Sequence, residues 1–185
     1  MEKLRIFYLK YKHAIPLIIY GIIYMTWFAW LEKNTTGHYR IIHMAADDYI
    51  PFCEVFVIPY FLWFAYVSAV VIYFFFKNKE DYYRTCIFLF TGMTMPSIHV
   101  YNSLGAHFAI IRSKCFEKKK GIRIGSLILA VSIIMATMFI KQHSVFDVLT
   151  AFVMAAVMYT LVYRYDLLIA VREFRNKRKA KPQIG

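Results

Sequence analysis

A chain of 185 residues that is 60% hydrophobic and 19% aromatic exceeds the apolar share of a soluble domain, about 45–50%. Its 23 Lys and Arg outnumber its 11 Asp and Glu, yet the excess base sits in short blocks between long apolar runs. That pattern writes membrane topology and argues against a nucleic-acid surface, and the three distant cysteines (Cys53, Cys86, Cys115) form neither a disulfide framework nor a zinc spacing.

The N-terminus carries Lys3, Arg5, Lys10 and Lys12 ahead of an apolar run over 14–31. That run closes on Trp27, Trp30, Glu32 and Lys33 rather than on small residues, so it reads as a retained spanning helix and not a signal peptide. Residues 32–50 are polar and end in Asp47 and Asp48, and a second, aromatic-rich span covers 52–76. A short charged loop over 77–84 leads to an apolar stretch over 85–95, which is only 11 residues long. Pro96, Ser97, Ile98 and His99 break the pattern, and a moderately apolar helix over 100–111 follows with Asn102, Ser103 and His107 inside it. Residues 112–123 are strongly basic, 124–140 is a clear span, 141–147 is polar, and 148–163 is the last span. The tail from Arg164 bears Arg172, Arg175, Lys177, Arg178, Lys179 and Lys181, a solvated anchor for anionic lipid headgroups.

The basic segments (the N-terminus, 77–84, 112–123 and the tail) alternate without exception with the less basic ones at 32–50, 96–99 and 141–147. The positive-inside rule then predicts an all-α, polytopic bundle of about six transmembrane helices, five full and one short, in a single membrane domain. Both termini lie in the cytoplasm, and 96–99 and 141–147 share the outer side.

Those two outer segments hold the residues with chemistry to offer. Polar and ionisable groups at membrane depth are costly and are functional candidates by default. His143 and Asp147 are spaced i, i+4 and share a face at a helix start, so the carboxylate can hold one imidazole nitrogen and leave the other nucleophilic. His99 can donate a proton to a leaving alkoxide, Ser97 with backbone N–H groups can hold phosphate oxygens, and Lys141 adds a cation beside the nucleophile. This set suits phosphoryl transfer through a phosphohistidine and needs no cofactor. A metal site of His99, His107, His143 and Asp147 is the rival reading, but His107 lies about 12 Å below His99 along a helix. His107 otherwise reads as a packing or lipid-path residue, and His13, His38 and His43 as interfacial loop residues.

The run Pro96-Ser97-Ile98-His99 resembles the second signature of the type 2 phosphatidic acid phosphatase superfamily, and His143-x-x-x-Asp147 resembles the end of its third. The stretch from Lys141 to Val148, with Asp47-Asp48-Tyr49-Ile50-Pro51-Phe52 and Ile58-Pro59-Tyr60-Phe61-Leu62-Trp63-Phe64, is similar to a branch near the inositol phosphorylceramide and sphingomyelin synthases. The resemblance covers about residues 14–163. It implies a six-helix plan, with His143 as nucleophile, Asp147 as its orienting partner, His99 as general acid and Ser97 as a phosphate ligand. The expected substrate is a lipid phosphate or diphosphate, met at the extracytoplasmic face of the cell membrane.

The first signature of that superfamily, Lys-x6-Arg-Pro, has no counterpart: Arg84 is followed by Thr85. The third signature often opens Ser-Arg, where this chain has Ala136 and Thr137. Lys141 and Arg112 are the cations left to compensate. Span length marks the same region, because 11 helical residues cover about 16 Å against a hydrocarbon core of about 30 Å. The expectation is that a few tens of residues found in relatives are missing between about Thr91 and Pro96. A catalytically degenerate member and a small non-enzymatic multi-span protein such as a transporter subunit, whose broken helix would be 91–99, are the alternative readings.

Overall fold

The structure is a computed structural model that describes residues 12–34, 42–92 and 96–170, with 173 and 176. Lys3, Arg5, Lys10, His38, residues 93–95 of the expected third span, and the basic tail beyond 170 apart from those two positions lie outside the described residues. Among the described residues there is helix and no strand. Six α-helices of 13 residues or more follow in chain order: α1 (Ile15–Asn34), α2 (Val57–Lys77), α3 (Lys79–Thr91), α4 (Ile98–Arg112), α5 (Lys120–Phe139) and α6 (Val145–Tyr159). A π-helical turn, Thr160–Arg164, extends α6.

Among the described residues, three stretches are long and apolar enough to cross a bilayer: Glu54–Lys77, Lys120–Phe139 and Val145–Arg164. Their outward faces are the more apolar ones. Along α2, Ile58, Phe61, Leu62, Phe64, Ile72 and Phe76 are exposed, while Trp63, Tyr66, Val70 and Phe74 turn inward. Along α5, Ile124, Leu127, Ile128 and Val131 are exposed, whereas Ser126, Ala130, Ala136 and Thr137 are buried. A surface this apolar is unstable in water and at home in lipid, which marks the chain as a membrane protein.

Packing centres on α4, which touches α2, α3, α5 and α6. Residues 100–107 are buried without interruption. This explains the mixed composition of the helix: it meets other helices rather than lipid, so small and polar residues suit it. Gly105 sets its approach to α3. A Cβ there would lie 2.5 Å from Cδ1 of Phe88, a fully buried ring stacked on Tyr101 and edge-on to Phe108. Gly105→Ala is therefore expected to cost about 1–3 kcal/mol through overpacking, read as a lowered melting temperature in detergent.

Helix α3 takes in much of the stretch that sequence reading leaves as a charged loop. Asn78 alone separates it from α2. The Asn78 side-chain oxygen accepts from the N–H groups of Glu80 (2.9 Å) and Asp81 (3.3 Å), and those two carboxylates sit in the first turn, where the helix dipole favours negative charge. At 13 residues α3 is about 20 Å long, still short of the hydrocarbon core. Ser97 starts α4 at Ile98, two residues ahead of the expected boundary, by accepting from Val100 N–H at 3.4 Å.

At one end of the bundle Arg84 joins α3 to the chain beyond α6. Its guanidinium is 2.7 Å from Asp166 and 2.9 Å from Glu80. Asp81 accepts from the Ser113 hydroxyl at 2.6 Å, which ties α3 to the end of α4. Arg112 donates to the Tyr163 carbonyl at 3.5 Å and lies 5.6 Å above the Tyr159 ring. Both arginines thus sit at the far end of α6 from Asp147. The 20 residues Val145–Arg164 separate the two ends by about 30 Å. Arg112, expected as a compensating cation, is corrected by this position: it reaches α6 only at its final turns.

Candidate functional site

The opposite end of the bundle gathers the candidate residues. Helix α5 stops at Phe139, and Lys141 follows with φ 57°, a left-handed position that glycine usually fills after a helix. The lysine is held there by its own ammonium group, which donates to the carbonyls of Asp47 (2.7 Å) and Ile50 (2.5 Å). The N–H groups of Gln142 and His143 return to the Thr137 carbonyl at 3.0 and 3.1 Å, closing a tight turn. Ser144 then caps α6 by accepting from Phe146 N–H at 3.2 Å.

His143 precedes that cap, and Asp147 lies in the first turn of α6. Their side chains meet, His143 Nδ1 to Asp147 Oδ2 at 3.2 Å. The second oxygen, Asp147 Oδ1, is buried without a partner. With Nδ1 engaged, Nε2 is the remaining ring nitrogen of His143. Both residues line a cavity of about 430 Å³, together with His43, Asp47, Asp48 and Lys141 among others.

His99 stands behind His143 in the first turn of α4, with ring centroids 6.3 Å apart. It stacks on Tyr60 and meets Trp63 of α2 at a tilt, each ring centroid 4.4 Å away, and both its ring nitrogens are buried without a partner. Ser97 is fully buried and occupied in capping α4. Neither Ser97 nor His99 is among the residues lining the cavity. Lys141 does line it, with two of its three N–H bonds given to the 47–50 turn. His107 lies apart, against Ser126 of α5 at 3.0 Å. Among the described residues no group of three or more His, Cys, Asp or Glu is placed to hold a metal ion.

Asp47 is the site residue that sequence reading does not single out. One oxygen accepts from the Ser144 hydroxyl (2.6 Å) and from Met44 N–H (2.8 Å), and the other from Val145 N–H (2.8 Å). It clasps the N-terminus of α6 from the other side of the cavity, where the dipole also favours its charge. Beside it, Asp48 pairs with His43 at 3.0 Å. The only signal in the sequence was an Asp pair closing a polar loop, because its partners are 97 and 98 residues away.

The Ser144 hydroxyl first, then the Val145 and Met44 N–H groups, hold the Asp47 carboxyl down at about 2, against an ordinary 3.8. A lowered folded value means the clasp contributes stability above about pH 4 and loses it as pH falls toward 2. The protection of residues 42–50 against hydrogen exchange, taken relative to the unstructured rate at each pH, should accordingly be high at pH 6 and fall below pH 4, and Asp47→Asn should show low protection at both.

Comparison with protein-family models, with curated proteins and with solved structures finds no match to this chain.

Proposed function

We propose that the chain is a membrane-embedded lipid phosphate phosphatase or phosphotransferase, working through a phosphohistidine on His143. The observation that carries this reading is the His143–Asp147 pair opening onto the cavity, with a second imidazole 6.3 Å behind it. Asp147 fixes the tautomer and supports the positive charge that His143 gains on attack. Nε2 of His143 attacks phosphorus, the phosphorus–oxygen bond to the lipid breaks, and the leaving oxygen takes a proton, the role that the family resemblance gives to His99, whose ring must turn out from Tyr60 and Trp63 to reach the cavity. Water or a lipid hydroxyl then attacks the phosphorus, returns a proton to His99 and frees His143. No cofactor enters.

The resemblance to the type 2 phosphatidic acid phosphatase superfamily supports the same assignment, with its six-crossing plan, cytoplasmic termini and outward-facing site in the cell membrane. Lys141 is a cation at the cavity, the α6 N-terminus beside it being already held by Asp47, and Ser97 serves behind the reacting pair by fixing the first turn of α4 and thereby His99. A degenerate, slow member of the family is the second reading. It is favoured by the placement of Arg84 and Arg112 at the far end of α6 and by the commitment of Lys141 to two carbonyls.

Phosphate release from phosphatidate and from a prenyl diphosphate in mixed micelles tests the proposal. Release above the buffer rate, insensitive to chelators, is the expected outcome. Absence of release from both substrates moves the assignment to the degenerate member.

A further inference from the structure

Ser103 and His107, buried polar groups on α4, take no part in the chemistry above and continue inward from His99. His107 Nδ1 is 3.0 Å from the Ser126 hydroxyl, and the Tyr66 hydroxyl is 2.7 Å from the same oxygen. All three residues are buried, so α2, α4 and α5 share a polar knot inside the bundle. One turn back along α4, Ser103 is fully buried and its hydroxyl has no partner. One turn further, both ring nitrogens of His99 have none, and the indole N–H of Trp63 beside it has none either.

His99, Ser103 and His107 recur every four residues, so they line one face of α4. Consecutive members are separated by a rise of about 6 Å along the helix axis, a gap for one or two bridging waters at about 2.8 Å per hydrogen bond. Unpaired hydroxyl and imidazole groups in a bundle surrounded by hydrocarbon are costly, and a bridging water removes that cost. Every member of the series can accept a proton at one lone pair and release one at another.

We propose that the His99–Ser103–His107 face of α4 holds a water-bridged hydrogen-bond wire, which conducts protons between the His143 cavity and the opposite, basic end of the bundle. Around its upper end stand His143 with Asp147, and Tyr60 and Trp63 of α2. Around its lower end stand Tyr66 of α2, and Ser126 and the charge of Arg123 on α5. From His107 the helix runs about 8 Å further to Arg112, where the basic segment begins. A proton entering at His99 displaces one at the far nitrogen, each water passes one on, and His107 releases one. No covalent bond is formed or lost overall, and the groups reorient for the next passage. Chains of buried histidines and hydroxyls serve this purpose in membrane proteins.

The test needs no phosphoester, so its outcome is independent of the phosphoryl-transfer reading. The full chain is reconstituted in phospholipid vesicles enclosing a pH-sensitive dye, and a potassium gradient with valinomycin drives proton movement. Wild-type vesicles should take up protons several-fold faster than empty ones. Ser103→Ala, which removes one oxygen and leaves the packing intact, should fall to the empty-vesicle rate, as should His107→Phe. Wild-type uptake no faster than empty vesicles overturns the proposal, and so does Ser103→Ala uptake equal to wild type.

Discussion

His143→Ala should abolish phosphate release, with kcat down by about 10³-fold or more, because in the proposed mechanism the imidazole forms the bond on which both half-reactions depend. The protein should remain folded, since the His143 backbone N–H, which closes the turn on Thr137, is kept. Asp147→Asn should fall as well, by about 10²–10⁴-fold. The amide can still meet Nδ1, but it neither selects the productive tautomer nor supports the imidazolium, and the N-terminus of α6 loses a favourable charge. Phosphate release from a series of lipid phosphates, with KM and kcat measured separately, checks both. The loss should appear in kcat, because these residues act on the bond being broken and not on the lipid anchor.

Arg84→Ala should be the most destabilising single change at the other end of the bundle. The Arg84 side chain is only 21% exposed and serves Asp166 and Glu80 at once. Removing it strands the Asp166 carboxylate, whose Oδ1 already lacks a partner. The expected cost is about 2–3 kcal/mol, below that of a fully buried pair because solvent still reaches both groups. Arg84→Lys should recover part of it, since an ammonium keeps the charge that Nη2 presents to Asp166 and Glu80 but lacks the second guanidinium nitrogen that faces Asp81. Turnover per folded molecule should stay near wild type, with Arg84 about 30 Å from His143 along α6. Thermal melting and kcat on the same preparation separate the two effects. An unchanged melting temperature with a raised KM would instead make Arg84 a substrate ligand.

The long apolar runs were legible because a bilayer imposes length and composition directly. The expected spans 52–76 and 124–140 overlap α2 (Val57–Lys77) and α5 (Lys120–Phe139), with boundaries displaced by one to five residues. The same rule misjudged α3. Its first turn is charged, and its start is set by the Asn78 cap rather than by hydrophobicity; Asn followed by Glu80 and Asp81 was the available signal. The polar content of α4 was also opaque, because its reason is tertiary: α4 is surrounded by helices and never meets lipid along 100–107.

At the site, the His143–Asp147 contact could be anticipated because it is local, four residues of one helix start. The closeness of His99 to His143 could be guessed only from shared sidedness. Asp47 and the bonds of Lys141 could not be reached this way. A carboxylate that caps a helix 97 residues away, and an ammonium that binds two carbonyls of a distant turn, leave no spacing to read. Ser97 shows the converse. Its motif pointed to phosphate, while its hydroxyl accepts from Val100 N–H and holds α4 in register.

The central claim is a phosphoryl group carried on His143. Incubating the protein with a lipid phosphate labelled in its phosphorus, quenching within the first turnover and mapping the label tests it most directly. A bond stable to base, labile to acid and located on His143 is the predicted result, with no label in His143→Ala. Phosphate release without any protein-bound label, or label that persists in His143→Ala, would contradict it.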